Sequence, residues 1–256
     1  MCGKIAILIM KHFTSISIVI PAYNEEENLQ WIVKNTLKEL PVYFKDFEII
    51  IVDDGSTDKT VIIANKLQST NPQVKVIHQK NGGYSKAMLT GIKAANKEYI
   101  AYMPADGQFL ISDMRHCFEV MNDNDMILGY RGGRPDYNFK RIIFSYGYLL
   151  LLSLLFNIKY MDVGWVIIWR TSKIKKIKFT STNGIFLLTE SLVRFQQQKY
   201  RVTDAPSYYH PRKSGLAKNV KLKVVLQTLL SALKFWFLIK YESIFSLRTP
   251  KKTIGK

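Results

Sequence analysis

Cysteine is almost missing from this 256-residue chain: only Cys2 and Cys117 occur. Two thiols make no disulfide framework, and their separation is no metal-ligand spacing. A reducing compartment fits. There is no Gly-x-Gly-x-x-Gly fingerprint, and Asn81-Gly82-Gly83 does not supply one. No Walker lysine loop is present either, so dinucleotide oxidoreductase and P-loop chemistry are excluded. No stretch reaches the roughly 18 to 20 strongly apolar residues that span a bilayer. The short run Ile5 to Met10 lacks the length and cleavage site of a signal peptide. Acid is scarce as well, with 20 Asp+Glu against 37 Lys+Arg and a formal charge of +17. That imbalance points to a polyanionic partner: nucleic acid, an anionic lipid surface or a phosphorylated substrate.

What is present is ordinary for a folded chain, 47% hydrophobic and 22% charged. Ser15 to Ile20 is a β-branched run ended by Pro21, a first buried strand. Asn24 reads as a helix N-cap, followed by Glu25, Glu26 and Glu27 where the helix dipole favours acid. Phe47 to Val52 is a second strand leading into Asp53-Asp54-Gly55-Ser56-Thr57-Asp58, then a helix over Lys59 to Leu67. Val74 to His78 is a third strand, and Asn81-Gly82-Gly83 opens a helix over Ala87 to Asn96. Glu98 to Tyr102 is a buried strand, Ile111 to Met121 has helical spacing, and Met126 to Gly129 is a fifth strand.

Strands alternating with helices at this spacing define an α/β, Rossmann-like architecture with a mostly parallel sheet and a longer, irregular second half. Right-handed crossovers put the strand-to-helix loops on one sheet edge. The acids of Tyr23 to Glu25, Asp53 to Asp58 and Asp106 to Gln108 therefore converge there. Asp106 is the centre of the pattern, on an Asp-Gly turn at the carboxyl end of a strand, where open α/β sheets bind ligands. An Asp-Gly turn is also common without any chemistry. With Asp54 beside Gly55, these acids suit a nucleotide diphosphate held through a divalent cation, since Mg²⁺ takes few protein carboxylates and completes its shell with phosphate oxygens.

Two segments depart from the alternation. Phe139 to Phe156 starts with Lys140-Arg141 and then runs uncharged; it reads either as a helix along a membrane surface or as one packed on the sheet. Val220 to Ile239 reads as an amphipathic helix, with Leu222, Leu226, Leu229, Leu233 and Trp236 on one face and Lys223, Gln227 and Lys234 on another. Lys218, Lys221, Lys240, Arg248, Lys251 and Lys252 surround it. This too reads as a membrane-surface helix or as a cap on the core.

The ordered series Ser17 to Glu25, Val52 to Asp58, Asn81-Gly82-Gly83 and Ala105-Asp106-Gly107-Gln108 resembles family-2 glycosyltransferases of the GT-A fold. It is most similar to the dolichyl- or polyprenyl-phosphate sugar synthases. The likeness continues through Asp162-Val163-Gly164-Trp165, Thr189-Glu190 and Arg212 to Lys218. It implies a GT-A domain over 15–217, which includes the 139–156 helix; the basic amphipathic helix read above, over 218–247, would follow it as an anchor at a membrane surface. It further implies that Pro21, Tyr23, Glu25, Val52, Asp54 and Ala105 hold the nucleotide-sugar. Asp106 and Gln108 would meet a Mg²⁺ or Mn²⁺ ion and the diphosphate. Arg131 and Arg212 would face phosphates, where a bidentate guanidinium suits them.

Two departures stand out: Pro104 occupies a position where many relatives carry Asp, and Ala217 stands where the last motif usually has Ser. No long hydrophobic carboxyl-terminal spans follow, so anchorage would be peripheral, on the cytoplasmic side of the membrane.

Three functions follow as expectations. The first is inverting transfer of a sugar from a nucleotide-sugar to a polyprenyl phosphate, which needs no general base because a phosphomonoester is largely ionised at neutral pH. The second keeps the fold and uses a glycan hydroxyl as acceptor, with Glu190 or Asp162 as base. The third, nucleic-acid binding, rests on charge alone and is set aside, because the basic excess concentrates beside apolar helices. His78, His116 and His210 read as structural.

Overall fold

The structure is a computed structural model that describes residues 13–107, 109–133, 139–181, 186–208 and 222–246. Its contacts divide the chain into two compact units, 1–137 with 160–217 and 138–159 with 218–256.

The first unit is built on β1 (Phe13–Ala22), α1 (Leu29–Tyr43), β2 (Phe44–Asp53), α2 (Thr60–Thr70), β3 (Val74–His78), α3 (Tyr84–Ala94) and β4 (Tyr99–Tyr102). A 3-10 turn (Ser112–Met114), α4 (Arg115–Glu119) and β5 (Met126–Arg131) follow. The second unit contributes α5 (Phe139–Phe156), after which the first resumes with β6 (Val166–Arg170), α6 (Thr171–Ile174), α7 (Phe186–Gln197) and β7 (Val202–Ser207). Last comes α8 (Leu222–Ser246) of the second unit.

One seven-stranded sheet runs β3-β2-β1-β4-β6-β5-β7. β1 pairs in parallel with both β2 and β4, β2 with β3, and β5 with β7; β6 alone runs antiparallel, between β4 and β5. The near-continuous apolar strands are what burial on both sheet faces demands: Ile16, Ile18, Val19 and Ile20 of β1 and Ile49 to Val52 of β2 are fully buried. Chain order reverses between β1 and β4, the switch point where such sheets open a ligand crevice at their strand carboxyl ends. At that edge lie Ala22, Asp53, His78, Tyr102, Arg131 and Ser207, together with the entry to β6 at Val166.

Pro21 is not the end of the first strand but lies within β1, in register with Val52. The Val19 carbonyl accepts from Met103 N–H and the Ala22 carbonyl from Asp54 N–H, so residues 19 and 21 turn their backbone polar groups toward β4. β4 ends at Tyr102, opposite Val19, and a proline at 21 forfeits no ladder bond.

Asn24 is not a helix cap either. It has φ 54°, and α1 starts five residues later, behind Asn28. The three glutamates therefore sit in the connecting loop. The Ile111 to Met121 periodicity splits into the 3-10 turn and the short α4, whose Phe118 and Cys117 are fully buried. Burial pushes the Cys117 thiol up to about 12, leaving it an inert apolar side chain.

At the opposite edge, Glu48 is 2% exposed. It accepts from Lys75 Nζ at 2.6 Å, Ser17 Oγ at 2.7 Å and Asn96 N–H at 2.7 Å. Burial pushes its carboxyl up, but these donors outweigh it and hold it below the usual glutamate range. This network ties β1, β2, β3 and the end of α3 together.

In the second unit α5 and α8 pack on each other, with Phe156 and Phe235 ring centroids 5.8 Å apart and Leu152, Ala232 and Phe235 buried. Among the described residues no helix is long and apolar enough to cross a membrane.

Candidate functional site

Three loops frame the switch point. The loop after β1 and the loop after β2 are zipped together by side chains reading each other's backbone. Asn24 N–H donates to Ser56 Oγ (3.0 Å) and Asn24 Oδ1 accepts from Thr57 N–H (2.8 Å). Glu25 N–H donates to Thr60 Oγ1 (2.8 Å), Glu26 N–H to Asp58 Oδ2 (3.2 Å), and Glu26 Oε2 accepts from Lys59 N–H (3.0 Å). Burial raises Asp58, but bonds from Thr60 and the Glu26 backbone outweigh it and lower its pKa. Tyr23, at the tip, is 41% exposed.

The paired aspartates divide the work of fixing this frame. Asp53 accepts from Ser56 N–H (3.1 Å) and meets His78 Nδ1 (3.1 Å), whose Nε2 meets Asn65 Oδ1 (2.9 Å). The His78 ring thereby links the end of β3 to Asp53 and to α2. Asp54 is 4% exposed. It accepts from Gln79 Nε2 (2.6 Å), Gly82 N–H (2.9 Å) and Gly83 N–H (2.8 Å), fixing the loop that starts α3. Gly55 between these contacts has φ +74°, and a Cβ there would stand 2.8 Å from Asn81 N; only glycine fits.

The third loop follows β4 and carries Ala105 and Asp106 in a turn closed by Gly107. Gly107 has φ +68°, and an added Cβ would lie 2.7 Å from Trp31 Cζ3 on α1. Trp31 thus sets the height of the Asp106 turn over the helix. β2 and β4 flank β1, so the Asp54 and Asp106 loops leave strands roughly 10 Å apart at the same edge, two sheet spacings. Val52, fully buried and paired with Pro21, underlies this frame.

Arg131 ends β5 beside the same edge. Its Nε donates to Asp162 Oδ2 (2.7 Å) and its Nη2 to Asp162 Oδ1 (3.2 Å), a bidentate pair with side chains only 9% and 4% exposed. The guanidinium also lies 4.6 Å over the Trp165 ring, which meets Phe109 of the Asp106 loop edge-to-face at 5.1 Å. This chain of contacts connects the third loop to β5 and the entry of β6. Nothing in the sequence signals it, because Arg131 and Asp162 lie 31 residues apart; Trp165 was legible only as part of a motif.

Glu190 is fully buried on α7 and both oxygens are occupied: Oε1 accepts from Thr180 N–H and Oγ1 (2.7 and 2.8 Å), Oε2 from Ser181 N–H (2.7 Å). It anchors the segment before α7. Gln108 and Arg212 lie outside the described residues, as do His210 and the Arg212 to Lys218 motif. A cleft of about 240 Å³ lies along the carboxyl half of α3, lined by Leu89, Ile92, Ile174 and Phe179. Its lining contains no acid and it stands apart from the edge of the sheet that carries the aspartates.

Among the described residues no cluster of three or more His, Cys, Asp or Glu is arranged to hold a metal by itself. A cation at this edge would draw on Asp106 and on ligand phosphate oxygens, the few-carboxylate donor set that Mg²⁺ and Mn²⁺ accept.

Sheet order, switch point and edge acids define a GT-A glycosyltransferase domain. The fold is similar to that of glucosyl-3-phosphoglycerate synthase from Mycobacterium tuberculosis, solved with Mn²⁺, UDP and phosphoglyceric acid: TM-score 0.65 at 15% identity, covering 85% of this chain and 78% of that one. The family described as glycosyl transferase family 2 matches residues 17–177, and the chain belongs to it. The chain is 28% identical over 233 residues to dodecaprenyl-phosphate galacturonate synthase of Rhizobium johnstonii, covering 89% of this chain and 68% of that protein. It is 32% identical over 120 residues to the chondroitin synthase of Pasteurella multocida, but that stretch is 46% of this chain and 12% of the synthase.

Proposed function

We propose that this glycosyltransferase moves a sugar from a nucleotide-sugar to a polyprenyl phosphate, with inversion at the anomeric carbon, as a peripheral protein of the cytoplasmic membrane face. The observation that carries the reading is the extent of likeness. Similarity to the polyprenyl-phosphate enzyme runs over 89% of the chain, whereas similarity to the chondroitin synthase stops at 46%.

In the proposed reaction an acceptor phosphate oxygen forms a bond to the anomeric carbon from one face. The bond from that carbon to the nucleoside diphosphate breaks on the other, and the diphosphate leaves with the electron pair. An acceptor whose second pKa lies near 6 is already ionised and hands no proton to the protein. The geometry supports this lack of a base, since Asp162 is engaged by Arg131 and Glu190 by Thr180 and Ser181. Pro21, Tyr23, Glu25, Val52, Asp54 and Ala105 form the donor cradle, braced by the zipped loops. Asp106, with Gln108, would hold Mg²⁺ or Mn²⁺, which when bound supplies positive charge to the diphosphate. Arg131, braced by Asp162, and Arg212 would supply positive charge for the leaving diphosphate and the acceptor phosphate.

Incubating the protein with a panel of nucleotide-sugars and either polyprenyl phosphate or soluble glycan tests the reading. A lipid-linked sugar phosphate is the expected product. Product from glycan alone would overturn it in favour of transfer to a sugar hydroxyl.

A further inference from the structure

Helices α5 and α8 each carry a continuous exposed apolar stripe. On α5 it is Phe139, Ile143, Tyr146, Leu150 and Leu154, exposed by 76, 53, 62, 62 and 75%. On α8 it is Leu226, Leu230, Leu233, Phe237 and Tyr241, exposed by 50, 54, 39, 64 and 59%. Both follow the spacing i, i+4, i+7, i+11, i+15, which at about 100° per residue keeps each stripe within a quarter-turn of its helix. On α8 Ala232 and Phe235 are buried, while Leu226 and Leu233 of the apolar face read from the sequence point out. Soluble monomers seldom leave apolar surface of this continuity in water.

The surrounding charge selects the occupant. At the same helical angles Lys234 and Lys240 border the α8 stripe on its two sides, both exposed, and Lys240 Nζ lies 5.7 Å over the Trp236 ring. From residue 209 onward the sequence holds eleven Lys+Arg and one acid, Glu242, and from 138 to 161 it has no acid. A protein partner burying ten apolar side chains needs no such one-sided rim. An anionic headgroup layer over hydrocarbon fits both, because lysine stems lie along apolar surface while their ammonium groups reach the phosphates. No described helix is long and apolar enough to cross, so the helices lie in the interface.

We propose that α5 and α8 together form a two-helix pad that inserts both stripes into the boundary between headgroups and acyl chains of an anionic bilayer. This deepens the peripheral placement above by assigning it to ten side chains on two helices, 66 or more residues apart in sequence. α5 is thereby a membrane element in its own right rather than part of the sugar-binding domain.

The test uses the full chain in a Cys2→Ser background, where the remaining Cys117 is buried. Single Leu150→Cys and Leu230→Cys variants carry a polarity-sensitive fluorophore, with the exposed Lys66→Cys on α2 as control. Vesicles of phosphatidylcholine with phosphatidylglycerol should shift both stripe labels to the blue, and brominated acyl chains should quench them; the control should do neither. Leu150→Glu and Leu230→Glu should each weaken partitioning by about tenfold or more. Stripe labels that stay in water on vesicles would overturn the proposal, as would a shift that occurs without lipid and tracks dimer formation in sedimentation. Sugar transfer to a short, water-soluble prenyl phosphate without vesicles should survive both Glu variants. Absence of that transfer in the parent protein sinks the proposed reaction and leaves the pad standing, whereas labels that stay in water do the reverse.

Discussion

Asp106 is the side chain on which the proposed chemistry concentrates. Asp106→Asn keeps the shape of the turn and removes the charge, so it should abolish turnover while leaving the melting temperature within a degree or two of the parent; activity within a few-fold of the parent would remove Asp106 from the metal and diphosphate. Asp162 has a different task. Its loss takes the bidentate acceptor from the Arg131 guanidinium that lies over Trp165. Removing one member of a buried pair typically costs about 3–5 kcal/mol. Asp162→Ala should therefore lower the unfolding free energy from denaturant titration by that order, and an unchanged value would mean the pair carries no net weight. At this scale the sequence disclosed the acids, because Asp-Gly turns after apolar strands carry a local signature. It did not disclose what holds them. The donors to Asp54 come from Gln79, Gly82 and Gly83, and such long-range bonds leave no local pattern. Glu190 illustrates the limit: its motif context suggested chemistry, and its contacts are those of a structural anchor.

Among the elements, the Asp106 loop depends on one close approach. Gly107→Ala adds a Cβ 2.7 Å from Trp31 and demands φ +68° of an L residue, together worth about 1–3 kcal/mol of strain. Activity should fall with a modest loss of melting temperature, and Trp31→Phe should restore part of the loss by making room; no rescue would mean the backbone angle alone matters. The Glu48 network gives a pH prediction. Because its carboxyl is held below the ordinary glutamate range when folded, its stabilisation is present above that range and is lost as pH falls through the lower folded value. Glu48→Gln should cost about 1–3 kcal/mol at neutral pH and flatten the acid side of a stability-against-pH curve. An acid limb as steep as the parent's would contradict this. The first five strands were legible because they alternate with helices at βαβ spacing, and α5 and α8 because their apolar periodicity persists over 18 and 25 residues. β6 and β7 were not. Val166 to Arg170 and Val202 to Ser207 lie in the irregular second half, where strands and helices no longer alternate at βαβ spacing, and β6 runs antiparallel between β4 and β5.

For the whole molecule, charge and apolar surface act together. Replacing Lys234 and Lys240 with Gln should weaken partitioning onto anionic vesicles by on the order of 1 kcal/mol per charge, with no change on zwitterionic ones. Equal loss on both would mean that the lysines act through packing. The basic excess was visible in composition alone, yet the outward direction of the leucines was not, since a 3.6-residue period is the same whether a stripe faces a core or a membrane.

The central claim is that loops after separate strands combine at one sheet edge to hold a nucleotide-sugar. Calorimetric titration of UDP and the other nucleoside diphosphates, with and without Mn²⁺, into the parent protein, Asp54→Asn and Asp106→Asn measures it directly. The account predicts metal-dependent binding of at least one diphosphate by the parent, weakened about tenfold or more in each variant; binding that is absent from the parent, or equal in all three proteins, would contradict it.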